Sequence, residues 1–134
     1  MLNILKKWFG KKQTGALDRK RLGALGEKFA CEYLHQNNYA IIEHNFRCPM
    51  GEIDIIAREG DTVVFVEVKS QYEHVQIRVE RKVDGRKQAK LRQLAQYYRR
   101  KRLSPETRCR IDVITVIITA ENTPKQLRHH KRAI

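Results

Sequence analysis

Glu52, Asp54, Glu67 and Lys69 stand within "GEIDIIAREGDTVVFVEVK", residues 51–69, two apolar β-prone runs that meet at a Gly-Asp pair. A two-residue loop at Gly60-Asp61 suits a type II′ turn and closes a hairpin of strands 52–58 and 62–70. Glu59 then pairs with Thr62, Asp54 falls opposite Glu67, and Glu52 falls opposite Lys69. Residues directly opposite in an antiparallel pair project to one face, with Cβ atoms about 4.5–5.5 Å apart. Positions 52 and 54 share a face, as do 67 and 69, so four charged groups converge. A three- or five-residue loop would throw Asp54 to the other face. Two carboxylates this close repel, and burial adds to the cost. Lys69 offsets one charge, and a divalent cation would offset two. Hard oxygen donors with no His or Cys beside them fit Mg²⁺ or Mn²⁺ rather than zinc. Such a cation with a lysine one side-chain step away suits phosphodiester hydrolysis, because metal and lysine both stabilise charge developing on the phosphate. Solvent-facing strand charges with Glu-Lys pairs across a hairpin account for the same residues structurally.

The elements around this hairpin must position those groups. Residues from about Leu17 to Asn37 carry a helical pattern that stops at Asn37-Asn38. Gly23, Gly26, Glu27, Ala30 and Leu34 share one face of it. Two interior glycines cost about 1 kcal/mol each relative to alanine, which close approach of helix to sheet would offset. Glu27 lies in the middle of that stripe. Residues 39–46 read as a strand, and 71–81 as an extended arm or a continuation of the hairpin. Residues 84–102 form a second helix with Leu91, Leu94, Ala95 and Tyr98 as its apolar stripe. Residues 109–119 form a strand apolar on both faces, hence central in the sheet. The structure of the basic tail "PKQLRHHKRAI" stays open. The order αβββαβ is one α/β domain over residues 17–134, with a mixed sheet flanked by helices and a basic amphipathic arm over residues 1–16.

With 134 residues, a single core is feasible. The formal net charge of +13 favours a polyanionic partner, nucleic acid before an anionic membrane surface. Cys31, Cys48 and Cys109 are odd in number and lack CxxC spacing, which points away from a disulfide framework or zinc site and towards a reducing cytoplasm. The start "MLNILKKWFGKK" has no continuous apolar region of signal-peptide length, and no run is long enough to span a membrane. Leu2, Ile4, Leu5, Trp8 and Phe9 could line one side of a short helix, but membrane contact is the minority reading of this arm.

Asp54, a hairpin, then Glu67-Val68-Lys69 resembles the PD-(D/E)XK nuclease superfamily. More specifically, the chain resembles the YraN-like family of small bacterial predicted endonucleases. The likeness runs through "LGEKFACEYL", "HNFRCPMGEIDIIA", "VVFVEVKSQ", "VDGRKQAKLRQLAQYY", "RCRIDVI" and "RHHKRAI". It implies a restriction endonuclease-like core. It implies Asp54 and Glu67 as metal ligands with the Val68 backbone carbonyl, Lys69 as the residue positioning a nucleophilic water, and Glu27 as a further acidic group near the metal. A salt bridge from Glu27 to Arg47 or Lys69 is its structural alternative, and a structural role is preferred for Glu52. Lys87 and Gln88 match a Lys-Gln pair of the family and would face the site. Gln93 and Tyr97 have a QxxxY spacing that packing explains equally well. Arg110 and Asp112 read as a buried ion pair. Gln71 and Asp84 depart from the family's usual arginine and threonine.

Arg86, Lys87, Lys90, Arg92, Arg99, Arg100, Lys101 and Arg102 load the second helix with charge, with Gln88 among them. Arg128, Lys131 and Arg132 extend it into the tail. Such groups neutralise phosphates without reading sequence. The expectation is therefore a cytoplasmic Mg²⁺- or Mn²⁺-dependent endonuclease acting on DNA, with branched or junction DNA as candidate substrates and a homodimer left open. The competing expectation is a nucleic-acid-binding module with little or no hydrolysis.

Overall fold

The computed structural model describes residues 16–75 and 83–134. The proposed N-terminal arm, up to residue 15, and most of the extended arm, residues 76–82, lie outside the described residues. Helix α1 (Ala16–Gln36) is followed by strands β1 (Ala40–Cys48), β2 (Gly51–Glu59) and β3 (Thr62–Tyr72). Helix α2 (Gly85–Arg102), β4 (Arg108–Ile118) and β5 (Pro124–His130) complete the chain. The five strands form one sheet in the order β1-β2-β3-β4-β5. All neighbours are antiparallel except β3 and β4, which are parallel. That parallel pair demands a crossover, and α2 supplies it. This is the restriction endonuclease-like αβββαβ core, extended by one strand.

Local chemistry sets the boundaries. The α1 helix stops where Asn38 enters the left-handed region at φ 67°, a conformation asparagine tolerates. At the hairpin, Gly60 takes φ 57° while Asp61 keeps a negative φ, the sign pattern of a type II′ turn. Glu59 pairs with Thr62 and Ile55 with Val66, so the register read from the sequence is the register found. Asp84 caps α2 by accepting a 2.9 Å hydrogen bond from the Lys87 backbone N–H. Aspartate is among the residues that satisfy a helix N-terminus best.

The sheet carries a core on each face. Phe29, Ala30 and Leu34 of α1 pack with Ile55, Ala57, Val64, Val66, Ile114 and Val116. Leu91, Leu94, Ala95 and Tyr98 of α2 pack with Ile53, Ile56, Phe65, Ile111 and Val113. β4 is buried on both faces, as its composition requires. It is not the last strand, however. The tail pairs as β5 along the outer side of β4, with Arg128 opposite Thr115 and Leu127 opposite Val116. Among the described residues no helix is long and apolar enough to cross a membrane.

Candidate active site

The site begins where β2 and β3 part. Their pairing runs from the turn to Ile55 and Val66. Beyond that point β3 continues beside β4 to Tyr72, and β2 continues beside β1 to Gly51. Asp54 is the first residue in the fork. Its Oδ2 accepts a 2.8 Å hydrogen bond from the Val68 N–H, so a side chain takes the place of a ladder carbonyl. The peptide group of Val68 is thereby fixed beside the carboxylate.

The neighbouring strand explains the fork. Asn45 of β1 has φ 56° and interrupts the pairing between His44–Ile55 and Phe46–Ile53. Ile55 packs with α1 while Ile53 packs with α2, although residues two apart in a regular strand share a face. The β2 strand thus turns over at Asp54. The expectation that Asp54 pairs directly with Glu67 and Glu52 with Lys69 is corrected, because β2 and β3 are no longer paired at those positions. Glu52 is exposed and pairs with Arg47, its cross-strand neighbour, at 3.2 Å.

Strand β3 stays regular, so Glu67 and Lys69 follow Val63 and Phe65 onto the α2 face. Glu67 is buried, 7% exposed, and its Oε1 lies 2.8 Å from the Lys87 ammonium in the first turn of α2. Lys69 is half-buried one pleat further along. From the opposite layer, the Glu27 side chain comes close enough to Asn45 and Asp54 for both to act on its carboxyl. Arg47, one of the two alternative partners for Glu27, pairs instead with Glu52.

Electrostatics follow from this crowding. Burial pushes the Asp54 carboxyl up to about 7, Glu67 and Glu27 add to the effect, and the Val68 N–H and Lys87 oppose it. The Glu27 carboxyl is also raised, by burial and then by Glu52. Burial works against the Lys87 charge, yet its contact with Glu67 prevails and its pKa rises. Among the described residues no three His, Cys, Asp or Glu side chains gather as a metal cage. The two carboxylates expected to hold a hard cation, Asp54 and Glu67, lie close enough for Glu67 to raise the Asp54 carboxyl. That donor chemistry fits Mg²⁺ or Mn²⁺.

The α2 residues divide by task. Lys87 is engaged with Glu67, and the Gln88 amide donates to the Val83 carbonyl at 2.6 Å, closing the loop before the helix. Lys90, Arg92 and Arg100 are exposed, whereas Arg99 is half-buried and donates to the Thr107 carbonyl at 3.4 Å. Arg86, Lys87, Lys90 and Gln93 line one shallow depression beside the α2 N-terminus. Tyr97 packs against Phe46 and beneath Lys101, so the QxxxY spacing belongs to packing.

One cluster escaped the sequence reading. Asp112 is fully buried and receives Arg110 Nε at 3.0 Å, His129 Nε2 at 2.7 Å and the Arg132 N–H at 2.9 Å. Tyr33 of α1 meets the other ring nitrogen of His129 at 3.1 Å. Burial works against the Asp112 charge, but these hydrogen bonds outweigh it and hold the carboxyl below its ordinary value. The expected Arg110–Asp112 pair is present. His129 gave no signal because "PKQLRHH" contains a single large apolar residue and no alternation.

Comparison with known proteins adds the following. The family described as Uncharacterised protein family UPF0102 matches residues 26–116. A UPF0102 protein of Moorella thermoacetica is 42% identical over 75% of this chain and 83% of its own length. One from Desulforamulus reducens is 40% identical over 89% of this chain and 99% of its own length. One from Pelotomaculum thermopropionicum is 36% identical over 86% and 96% of the two chains.

Proposed function

Because the chain belongs to the UPF0102 family, whose description assigns no chemistry, the function must be argued from the site, and we propose that the protein is a metal-dependent nuclease acting on DNA. The observation that carries this reading is the pair of converging carboxylates, Asp54 and Glu67, in the fork of a restriction endonuclease-like sheet. Folding places them together against their own repulsion, and a purely structural role would favour uncharged residues of similar size. Sites that perturb pKa in this manner are commonly chemical ones.

Asp54 and Glu67 would hold Mg²⁺ or Mn²⁺ with the Val68 backbone carbonyl. Such an ion, when bound, acidifies water and offsets charge on phosphate oxygens. Lys69, on the same face as Glu67, positions the attacking water and opposes the negative charge that builds on the phosphate. Glu27 reaches the fork from α1 and adds a third carboxyl group beside Asp54. The exposed Lys90, Arg92 and Arg100 of α2 bind backbone phosphates. Among the described residues no element offers a reader of base edges, which suits selection by DNA shape, as at branches or junctions.

A panel of single-stranded, duplex, forked and four-way-junction DNA tests the reading in Mg²⁺, Mn²⁺ or EDTA. Cleavage that EDTA abolishes supports it and identifies the preferred structure. DNA that is retarded but uncut under every condition supports a binding module instead. The Lys87–Glu67 ion pair, which neutralises the site without a metal, is the feature that such a module would retain.

A further inference from the structure

Lys87 occupies an unusual place for a surface helix residue. Its side chain is 54% exposed, yet its ammonium lies 2.8 Å from a carboxylate that is itself 9% exposed. Glu67 is one of the two groups that would bind the cation. The backbone N–H of Lys87 is fixed by the Asp84 cap, so the side chain reaches Glu67 from an anchored base. Around that base lies the depression formed with Arg86 and Lys90, open to solvent. A flexible four-carbon stem can serve both places, with the ammonium on Glu67 in one state and facing the depression in the other.

We propose that Lys87 is a displaceable counter-ion: it neutralises Glu67 until a divalent cation arrives, and then turns outward to take a phosphate of the nucleic acid. The inference rests on the nuclease reading of the same site. An ammonium and a divalent cation cannot both sit against one carboxylate oxygen without repulsion, so metal entry and Lys87 release are coupled. By linkage, metal should strengthen phosphate binding and phosphate should strengthen metal binding. The resting protein also avoids a buried pair of uncompensated carboxylates.

The test compares wild type, Lys87→Met and Lys87→Arg by Mn²⁺ titration without DNA, read by electron paramagnetic resonance of the free ion. Lys87→Met keeps the stem and removes the charge, and it should bind Mn²⁺ about tenfold more tightly than wild type. Lys87→Arg should stay close to wild type. In a second arm, Ca²⁺ should increase the affinity of wild type for short duplex DNA several-fold, and Lys87→Met should lose most of that increase. Equal Mn²⁺ affinity in wild type and Lys87→Met, or an undiminished Ca²⁺ effect in that variant, overturns the counter-ion role alone. Mn²⁺ binding by none of the three proteins overturns the metal site together with it. Circular dichroism of each variant at the assay temperature shows whether the proteins compared are folded.

Discussion

Asp54 is held in a protonation conflict. Its carboxyl is raised to about 7 from an ordinary 3.8 by burial first, then by Glu67 and Glu27. A raised carboxylate destabilises the fold as pH rises from about 3.8 through about 7, because the native state binds a proton that the unfolded state releases. The penalty is complete above pH 7 and absent well below pH 4. Asp54→Asn keeps an acceptor for the Val68 N–H and removes the charge. In EDTA at pH 8 it should therefore be more stable than wild type, by roughly 1–3 kcal/mol, and the gain should vanish as the pH approaches 4. Urea unfolding of both proteins across that range measures the difference. A variant less stable than wild type at pH 8 would mean that the Asp54 charge is compensated within the fold. A gain in stability at a catalytic position is the usual sign of a group kept for chemistry.

At the scale of elements, the site depends on how closely α1 approaches β3. A Cβ placed on Gly26 would clash with Ser70 Oγ and lie 2.9 Å from Ser70 Cβ, whereas one on Gly23 would meet nothing within 4 Å. The two glycines of one stripe thus have different reasons to exist, and only Gly26 marks a close approach. Gly26→Ala should destabilise by about 1–3 kcal/mol through overpacking, and Ser70→Gly in the same chain should recover most of that loss. Gly23→Ala should stabilise by about 0.5–1 kcal/mol through helix propensity. Thermal unfolding of the four proteins separates these outcomes. The same contact places Glu27, the next residue, beside Asp54. Helix positions and hairpin register were legible in the sequence because they rest on local rules, the 3.6-residue period and the two-residue turn. The reversal of β2 at Asp54 was not, because nothing in the local pattern of β2 marks it, and it coincides with a left-handed residue, Asn45, in another strand. The fifth strand was hidden for a different reason. One of its inward members is the polar His129, whose burial is made possible by Asp112 and Tyr33 from elsewhere in the chain.

For the molecule as a whole, the net charge of +13 has to be read with its placement. Arg110, Arg47 and Lys125 are committed to internal pairs with Asp112, Glu52 and Glu73. The exposed cations of α2, by contrast, lie on the helix whose first turn reaches Glu67. About five phosphate contacts from this helix would give a slope of log affinity against log salt near −4 to −5 on duplex DNA. Lys90→Gln and Arg92→Gln should each flatten that slope by about 1 and weaken different sequences equally. Fluorescence anisotropy between 50 and 300 mM salt measures it, and a salt-independent affinity would remove α2 as the binding face. Single-turnover cleavage of the preferred DNA by wild type and Glu67→Ala, with DNA affinity measured in parallel, bears on the nuclease reading itself. We expect Glu67→Ala to lose at least about 10³-fold in rate while its affinity for DNA stays within a few-fold of wild type. Equal cleavage rates in the two proteins would place the chemistry elsewhere, and would leave the fork between β2 and β3 without a catalytic role.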